Sequence, residues 1–376
     1  MTPRVLHVVE RFLSRSETFI YTLVNGHRAY EASVLCQARL FHDEFPFPRV
    51  HVHARPLSKR TVDWWVDASV GFATGRSLWR RDVEAVLAAV RPDVVHAHFG
   101  PAGCAIVDDV RAAGIPLVTS LYGVDAAVLP FLPRWKQAYA RLFAAGDRFL
   151  AEGPEMRKKV IAAGAPAERT ALHPISIDLS RYPRWAPSAE PTALFVARFV
   201  EKKGLLDAIA AFDRARARVP GARMTIVGDG PDEAPARALV ARLGSGAAVD
   251  FVGSKPHADV LDLLARAAVL VHPSATAVNG DSEGGAPTIL LEAQAIGTPI
   301  VTTRHADIPN VAPEGAGVRL CAEHDVEALG AAVAEAFLSK KPSSAAHVAA
   351  HHAIDKTIVN LEALYTRLTE AAALAR

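Results

Sequence analysis

The chain has 376 residues, half of them hydrophobic and 22% charged, which excludes disordered and collagen-like proteins and is enough for two domains with separate cores. The formal net charge is +2, but residues 1–185 carry 24 Lys and Arg against 18 Asp and Glu, whereas the rest carries 18 against 22. The mildly basic first half weakly favours an anionic partner or an anionic membrane surface, and we expect no nucleic-acid partner.

The first half of the chain alternates strand and helix patterns. The apolar run in MTPRVLHVVERFL is too short for a signal sequence or a membrane span, and it predicts a buried strand over 4–9. Further strands are predicted over 31–37, 93–99, 116–123 and 148–153, with helices over 78–90 and 134–145. Residues 173–192 contain four prolines and no sustained period, so we expect the domain linker there.

The second half repeats this pattern. Its predicted strands, each followed by a helix, are 192–198, 223–230, 248–253, 267–274 and 299–303. An amphipathic helix is predicted over 354–375. We therefore predict the α/β class, with two doubly wound Rossmann-like domains, 1–178 and 190–350, facing each other across a cleft. Ligands of such sheets bind beyond the carboxyl ends of the strands, so the loops there are the candidate sites.

The three cysteines, Cys36, Cys104 and Cys321, are widely spaced and odd in number. This arrangement gives neither a disulfide framework nor a cysteine-based zinc site. We therefore expect the reducing cytoplasm as the location.

The loop after the first predicted strand, ERFLSRSETFI, separates Ser14 from Glu17 by the spacing of a capping box, which predicts a helix beginning near residue 15. A helix N-terminus directly after a strand can bind an anion. The alternative is that these residues only cap the helix.

Two histidines, His96 and His98, are two residues apart in DVVHAHFG and so lie on the same side of a strand. Because no third ligand at matching spacing is evident, we predict no metal site and expect histidines that line a cleft or belong to the core. In LYGVDAA, Tyr122 and Asp125 form a polar turn at the carboxyl end of the next strand, the alternative being a plain turn.

Two cations, Arg198 and Lys203, lie in VARFVEKKG around a turn that ends at Gly204. They could clamp a diphosphate, with Arg as a bidentate donor and Lys as a point charge, and the alternative is solvated surface charge. The motif IVGDGPDEA lacks the third glycine of a dinucleotide-binding fingerprint, which argues against an oxidoreductase. FVGSKPHADV contains a comparable turn with Lys255.

The stretch DSEGGAPTILLEAQAIGTPIV predicts a short helix over 288–296, with Pro287 at its first position and Gly297 as its C-cap. The amides of residues 284–288 then face a pocket at the positive end of the helix, which suits phosphate. Ionised Glu283 and Glu292 can only accept hydrogen bonds and so would bind hydroxyl groups. Phosphate on amides and cations, with hydroxyl groups on two carboxylates, indicates a nucleotide sugar.

The order and spacing of these motifs resemble the retaining glycosyltransferases of family 4, which have the two-domain GT-B fold. The similarity extends over nearly the whole chain and is greatest to the exopolysaccharide and colanic-acid type. It is carried by VLHVVERFLSRSETFI, VVHAHFG, TSLYGVDAA, HPISIDLSRY, VARFVEKKG, IVGDGP, FVGSKP and EGGAPTILLEAQAIGTPIVTTRHADIP. The resemblance implies that residues 354–376 pack back on the first domain.

The resemblance also implies roles for individual residues in a metal-independent transfer without a cofactor. Arg198 and Lys203 would neutralise the diphosphate, Glu283 would hold the donor sugar, and Glu292 would hold the ribose. The remaining donor contacts would come from Val252, Lys255, Gly284, Gly285, Ala286, Pro287 and Thr288. The acceptor side, close to the transferred sugar, would be formed by Ser14, Ser16, His98, Tyr122 and Asp125.

The chain departs from the family pattern in three places. Eight residues instead of seven separate Glu283 from Glu292, Tyr122 stands where many members have His, and Ser14 and Ser16 replace a Gly-Gly pair.

The function implied is transfer of a hexose from a UDP- or GDP-sugar to an acceptor hydroxyl. The acceptor would be a sugar, a glycolipid or a small molecule. The alternatives are a sugar-phosphate synthase or phosphorylase on the same fold, and a non-catalytic nucleotide-sugar binding protein. The segment 58–81 mixes tryptophans with basic residues and would suit peripheral contact with the inner face of a membrane, or a helix with its tryptophans packed inward.

Overall fold

A computed structural model describes residues 2–14, 17–52, 78–285, 287–339 and 341–374, with the side chains of 78–82 left out. The chain divides into two compact units, one formed by residues 1–176 and 354–376 and the other by residues 177–353. This division lies inside the proline-containing segment 173–192. Among the described residues, no helix combines the length and apolarity needed to cross a bilayer.

The first unit is built on one parallel sheet. Its strands are β1 (Arg4–Phe12), β2 (Glu31–Arg39), β3 (Val50–Val52), β4 (Val94–His98), β5 (Leu117–Leu121), β6 (Arg148–Ala151) and β7 (Thr170–Leu172). They are arranged in the order β3-β2-β1-β4-β5-β6-β7, and all the pairings are parallel. The helices are α1 (Thr18–Gly26), α2 (Leu78–Val90), α3 (Gly100–Ala112), α4 (Val124–Ala127), α5 (Pro133–Ala145) and α6 (Pro154–Ala162).

The second unit has a similar plan. Its strands are β8 (Thr192–Val196), β9 (Arg223–Val227), β10 (Val249–Phe251), β11 (Val269–His272), β12 (Ile300–Thr303) and β13 (Val318–Cys321). The order is β10-β9-β8-β11-β12-β13, again with parallel pairings. The helices are α7 (Leu205–Arg218), α8 (Glu233–Arg242), α9 (His257–Arg266), α10 (Thr288–Ile296), α11 (Ile308–Val311), α12 (Val326–Ser339) and α13 (Ala346–His351).

The last helix, α14 (Ile354–Leu374), belongs to the first unit and contacts α1. Its residues Ile358, Leu361 and Tyr365 are buried in the core that also contains Val5 and Val9 of β1. The intervening Leu6 and Val8 lie in a different core, which is formed with α3 and α5. Alternate residues of one strand therefore enter two cores, as expected for a parallel sheet that is covered on both faces.

The α/β class and the parallel sheets confirm the predicted fold. The short edge strands β3, β7 and β13 were not predicted from the sequence, whereas β10, which is equally short and also at an edge, was predicted within 248–253. In each sheet the strand order reverses once, between β1 and β4 and between β8 and β11. Such reversals are where doubly wound sheets bind ligands. The predicted residues Arg198 and Lys203 follow β8, and the predicted residue His98 ends β4.

Candidate functional site

The loops after β8 and β11 meet at the strand reversal of the second unit. After β8, Arg198 is exposed, and residues Glu201–Lys203 form a 3₁₀ turn that ends at Gly204. Gly204 has φ +69°, and a Cβ built there would lie 2.0 Å from the carbonyl oxygen of Pro273. Only glycine therefore allows the two loops to approach this closely.

Lys203 forms a two-point ion pair with Glu283. Its Nζ lies 2.6 Å from Oε1 and 2.9 Å from Oε2 of the carboxylate. The side chains are 14% and 8% exposed, so solvent screens this pair only slightly. The structure thus joins two residues that were predicted separately, one for the diphosphate and one for the donor sugar.

The carboxylate of Glu283 is ionised at neutral pH. Burial by itself raises its pKa, but the positive charge of Lys203, with smaller contributions from His272 and Lys202, outweighs burial and lowers the pKa to about 2. Glu283 is consequently a permanent hydrogen-bond acceptor, as its predicted contact with sugar hydroxyls requires.

Side chains missed by the sequence analysis also hold Glu283. Ser274 Oγ donates to Oε1 over 3.0 Å, so the Ser274 oxygen accepts from Nδ1–H of His272, also at 3.0 Å. Burial, followed by the charge of Lys203, lowers the pKa of His272 to about 4, which keeps this ring neutral. His272 ends β11 and Ser274 follows it, in a segment that was predicted only as a strand.

The backbone of Glu283 is fixed as well. Its N–H donates to Nε2 of His305 over 3.1 Å, and Nδ1 of His305 lies 2.7 Å from Oε1 of Glu323. A neutral His305 therefore has its proton on Nδ1 and donates it to Glu323. His305 begins the motif HADIP, which belongs to the family resemblance but had no predicted role.

Lys202 anchors the start of the same loop. Its Nζ donates to Oδ1 of Asp281 over 3.0 Å and to the carbonyl oxygen of Ser282 over 3.1 Å. Lys202 is 8% exposed, so two neighbouring lysines of one turn both reach the segment 281–283. The role of Lys202 is to shape the loop, whereas Lys203 neutralises its carboxylate.

Helix α10 begins at Thr288, in agreement with the prediction, but Pro287 occupies the N-cap instead of the first helical position. Gly297 ends the helix with φ 99°, the left-handed C-cap that was predicted. The preceding Gly284 and Gly285 are buried, and Thr288 is half-buried. Ala286, the third residue of the predicted phosphate segment, lies outside the described residues.

Glu292 is buried on α10 and interacts with the first residue of α9. Nε2 of His257 lies 2.8 Å from its Oε1. This histidine was not predicted to take part in the site. Val252 and Lys255, predicted as donor contacts, are half-buried in the loop between β10 and α9. They lie five and two residues, respectively, before His257 and the helix that it begins.

The predicted capping box of the first unit is wrong. Helix α1 begins at Thr18 with Glu17 as its N-cap residue and no side-chain capping bond, and the N–H of Glu17 instead donates to the carbonyl oxygen of Ser14 in a turn. Phe19, Ile20 and Leu23 of this helix are buried. Ser14 is half-buried, whereas Ser16 lies outside the described residues.

A third histidine, His7, lies beside the predicted pair His96 and His98, and the sequence did not reveal it. Parallel pairing of β1 with β4 places His7 beside His96, and Nδ1 of His7 lies 3.0 Å from Nε2 of His98. His7, His96 and His98 are all fully buried, and their possible metal-binding atoms lie within 4.8 Å of one another. A third candidate ligand thus lies beside the pair, and it shows no matching spacing in the sequence because it comes from another strand.

The observed distances nevertheless describe hydrogen bonds. Two nitrogens bound to one tetrahedral zinc, each at about 2.0–2.1 Å, would be separated by roughly 3.3 Å. The contact of 3.0 Å between His7 and His98 is shorter and typical of a hydrogen bond. His96 also has partners on both nitrogens, with Tyr365 at 2.6 Å and Ser120 at 2.7 Å. The donors present do not fit a metal ion without rearrangement.

Tyr122 and Asp125 have different environments. The Tyr122 hydroxyl lies 2.7 Å from Nδ1 of His98 and its side chain is partly exposed. Asp125 is buried, and its carboxylate accepts from the backbone N–H groups of Gly100, Tyr122 and Gly123. This use of both carboxylate oxygens gives Asp125 a role in shaping the loop, in place of the predicted acceptor contact. The burial of His98 likewise leaves Tyr122 as the exposed end of the cluster.

Comparisons with known proteins cover both units. A family model described as Glycosyltransferase Family 4 matches residues 16–181, and one described as Glycosyl transferases group 1 matches residues 181–351. The chain is 34% identical over 249 residues to WcaL of Salmonella typhimurium, a protein named for colanic acid biosynthesis, covering 65% of this chain and 61% of WcaL. It is 33% identical over 245 residues to the amylovoran biosynthesis glycosyltransferase AmsK of Erwinia amylovora, covering 64% and 60%.

The alignments thus span about three fifths of these two relatives. Among solved structures, the crystal structure of Anabaena HepE in complex with UDP and glucose has a TM-score of 0.79 at 17% identity, covering 97% of this chain and all of HepE. At this identity the likeness shows the fold. Together with the two family models, which match nearly the whole sequence, it leads to one conclusion: the chain belongs to the family 4 glycosyltransferases and has the GT-B fold.

Proposed function

We propose that the protein transfers a hexose from a UDP- or GDP-sugar to an acceptor hydroxyl, with retention of anomeric configuration, in the synthesis of a polysaccharide or glycoconjugate. The names of WcaL and AmsK support the biosynthetic setting, and the UDP and glucose bound to HepE support a nucleotide-sugar donor. Neither a metal ion nor a cofactor is part of the proposal.

The observation that carries the proposal is the buried Lys203–Glu283 pair at the loop that leads into α10. An ammonium group has three N–H donors, and two of them face the oxygens of Glu283. The third can donate to a phosphate oxygen while Glu283 keeps the side chain in place. The same carboxylate can accept from sugar hydroxyls, so one ion pair serves both parts of a nucleotide sugar.

Catalysis would come mainly from stabilising the leaving group. Lys203, Arg198 and the N-terminus of α10 would act on the negative charge that grows on the diphosphate as the glycosidic bond breaks. The departing phosphate would take the proton of the acceptor hydroxyl, so no side chain is required as a general base.

Donor turnover in two variants tests the proposal. Lys203→Ala removes the charge that faces the diphosphate, and Glu292→Ala removes the proposed contact with the ribose. We expect both variants to lose at least about tenfold in kcat/KM, which corresponds to about 1.4 kcal/mol. Near wild-type rates for both would overturn the assignment. Lys136→Ala and Glu370→Ala change exposed residues of the other unit and serve as matched controls.

The alternatives separate in the same assay. A non-catalytic nucleotide-sugar binding protein would bind donors without slow release of free UDP or GDP. A sugar-phosphate synthase or phosphorylase would require a small phosphorylated acceptor or inorganic phosphate. Screening UDP- and GDP-hexoses by mass spectrometry identifies the base and the sugar together.

The nature of the acceptor bears on the tryptophan-rich segment 58–81, of which residues 58–77 and the side chains of 78–81 lie outside the described structure. We propose that a lipid-linked acceptor is met by this segment at the membrane surface. Co-sedimentation with anionic and neutral liposomes tests this, and absence of binding to both would indicate a soluble acceptor.

A further inference from the structure

A continuous chain of hydrogen bonds runs through the first unit from Tyr122 to Glu362. The Tyr122 hydroxyl lies 2.7 Å from Nδ1 of His98, and Nε2 of His98 lies 3.0 Å from Nδ1 of His7. Nε2 of His7 is 3.0 Å from Nε2 of His27, whose Nδ1 is 3.1 Å from Oε1 of Glu362. The chain thus passes from β4 through β1 to the end of α1 and finishes on α14.

The carboxylate of Glu362, at the far end of this hydrogen-bond chain, can only accept hydrogen bonds. Oε1 of Glu362 also accepts from the backbone N–H groups of Arg28 and Ala29, at 2.8 and 3.0 Å. Burial raises the pKa of Glu362, but the hydrogen bonds from His27 and these two N–H groups outweigh burial and lower the pKa. Glu362 is therefore ionised, and the hydrogen atom between it and His27 belongs to His27.

The middle of the chain is neutral. Burial, with additional repulsion from neighbouring histidines, lowers the pKa of His7 well below its ordinary value and that of His98 to about 3. A neutral imidazole has one N–H and one acceptor nitrogen. Each ring in the chain must therefore donate on one side and accept on the other, so the direction of one bond determines the direction of all of them.

In the protonation state in which each of the three rings carries one proton, the direction follows from the carboxylate. Nδ1–H of His27 donates to Glu362, so Nε2 of His27 accepts from Nε2–H of His7. Nδ1 of His7 then accepts from Nε2–H of His98, and Nδ1 of His98 accepts the hydroxyl proton of Tyr122. The Tyr122 oxygen is left with its lone pairs and can only accept from a further partner.

We propose that, in this protonation state, Glu362, His27 and His7 are positioning residues that act through His98 to hold Tyr122 as a hydrogen-bond acceptor for a substrate hydroxyl group. The identity of the substrate rests on the function proposed above, whereas the direction of the chain does not. Tyr122 would therefore bind a hydrogen-bond donor such as a sugar hydroxyl group. It would have no proton to donate to a phosphate oxygen.

The tautomers of the histidines test the chain directly. In protein with ¹⁵N-labelled histidine at about pH 8, above the ordinary histidine pKa of about 6.5, long-range ¹H–¹⁵N correlation spectra distinguish Nδ1–H, Nε2–H and charged rings. We expect Nε2–H for both His7 and His98, and Nδ1–H for His27. An Nδ1–H or charged ring at His7 or His98 would overturn the proposal, without any assay of activity.

Removing one histidine from the hydrogen-bond chain should change the tautomer of the next histidine. His7→Leu removes the acceptor for Nε2–H of His98, so we expect His98 to lose its single tautomer. His96→Leu changes an equally buried neighbour whose bonds go to Tyr365 and Ser120, and we expect His98 to stay Nε2–H. An unchanged His98 in folded His7→Leu protein would contradict the coupling. If that variant does not fold, the wild-type spectrum still decides the question.

Kinetics test the role at the substrate. Tyr122→Phe should raise the KM of the substrate that Tyr122 contacts about fivefold, the value of one neutral hydrogen bond. His7→Leu should raise the same KM by a similar factor, and the double variant should show no further increase. Independent, multiplying effects would overturn the positioning role of His7. A wild-type protein that turns over no donor would refute the proposed function and leave the tautomer result intact.

Discussion

Among single residues, Glu283 gives the second unit a specific sensitivity to acid. Its pKa is about 2 in the folded protein and about 4.5 in an ordinary environment, so the folded state favours the ionised form. This contribution to stability is fully present above about pH 4.5 and is lost as the pH falls toward 2. Its size is about 3 kcal/mol, from a shift of that extent.

We therefore expect Glu283→Gln to destabilise the protein at neutral pH and to differ less from wild type as the pH falls. Urea unfolding of the two proteins between about pH 6 and pH 3 measures the convergence. Glu190→Gln, an exposed carboxylate of the same unit, is the matched control. A difference between Glu283→Gln and wild type that stays constant over this range would contradict the ionic role of Glu283.

The chemistry of this site was predictable from the sequence only in part. The motifs VARFVEKKG and DSEGGAPTILLE were sufficient to select Lys203 and Glu283, because charges next to turns after strands are visible in the sequence. The contact between them was not, since 80 positions separate the two residues and strand order decides which loops meet. The roles proposed for them in binding a donor stay predictions.

At the scale of elements, the turn before α7 depends on Gly204. Its φ of +69° disfavours any other residue, and an added Cβ would also collide with the Pro273 carbonyl oxygen at 2.0 Å. Gly244 has a similar φ of +62° with nothing within 4 Å of an added Cβ. We expect Gly244→Ala to cost about 1–2 kcal/mol from backbone strain alone, and Gly204→Ala to cost clearly more.

Thermal and urea unfolding of the two glycine variants measure this difference. Equal losses of stability would mean that the approach of the loop after β8 to the loop after β11 is not tight. Because Lys203 immediately precedes Gly204, we also expect the Gly204→Ala variant to lose donor turnover beyond what its stability explains.

Most strands and helices were predictable from the sequence, whereas three edge strands and the start of α1 were not. Strands with several consecutive β-branched or other apolar residues, such as β1 and β8, were predicted to within a few residues at each end. The edge strands β3, β7 and β13, of three or four residues, were missed, although the equally short edge strand β10 was predicted. The capping box at Ser14 was predicted from spacing alone, but the N–H of Glu17 donates to the backbone carbonyl oxygen of Ser14, and the helix begins later, at Thr18.

At the scale of the whole molecule, the two units differ in how the chain builds them. Residues 177–353 form the second unit as one continuous segment. The first unit is discontinuous, because α14 supplies Ile358, Leu361 and Tyr365 to its core and Glu362 to the histidine chain. Burial of each large apolar side chain stabilises the unit by about 1.5–3 kcal/mol.

We therefore expect a fragment of residues 177–353 to unfold cooperatively, and a fragment of residues 1–176 to lack a cooperative transition. Circular dichroism and urea unfolding of the two fragments measure this. Adding a peptide of residues 354–374 should restore structure to the second fragment. Cooperative unfolding of residues 1–176 alone would show that α14 is dispensable.

The repeated alternation of strands and helices was sufficient to predict two α/β units, because each buried strand and amphipathic helix carries its own local signal. The histidine chain is different. His96 and His98 are recognisable as a pair in the sequence, but His7, His27 and Glu362 are brought to them by three separate elements. Side chains that are brought together only by tertiary structure show no regular spacing in the sequence.

The position of α14 in the chain also sets an order of events during translation. Domains generally fold as units as they leave the ribosome, and the earlier one usually folds first. Here the second unit is complete once residue 353 has emerged, whereas the first still lacks the helix that closes its core. The half of the protein made first is therefore finished last. Chains that end at residue 353 and are held on the ribosome by an unrelated linker, so that residue 353 has emerged, should be cleaved by protease mainly within residues 1–176.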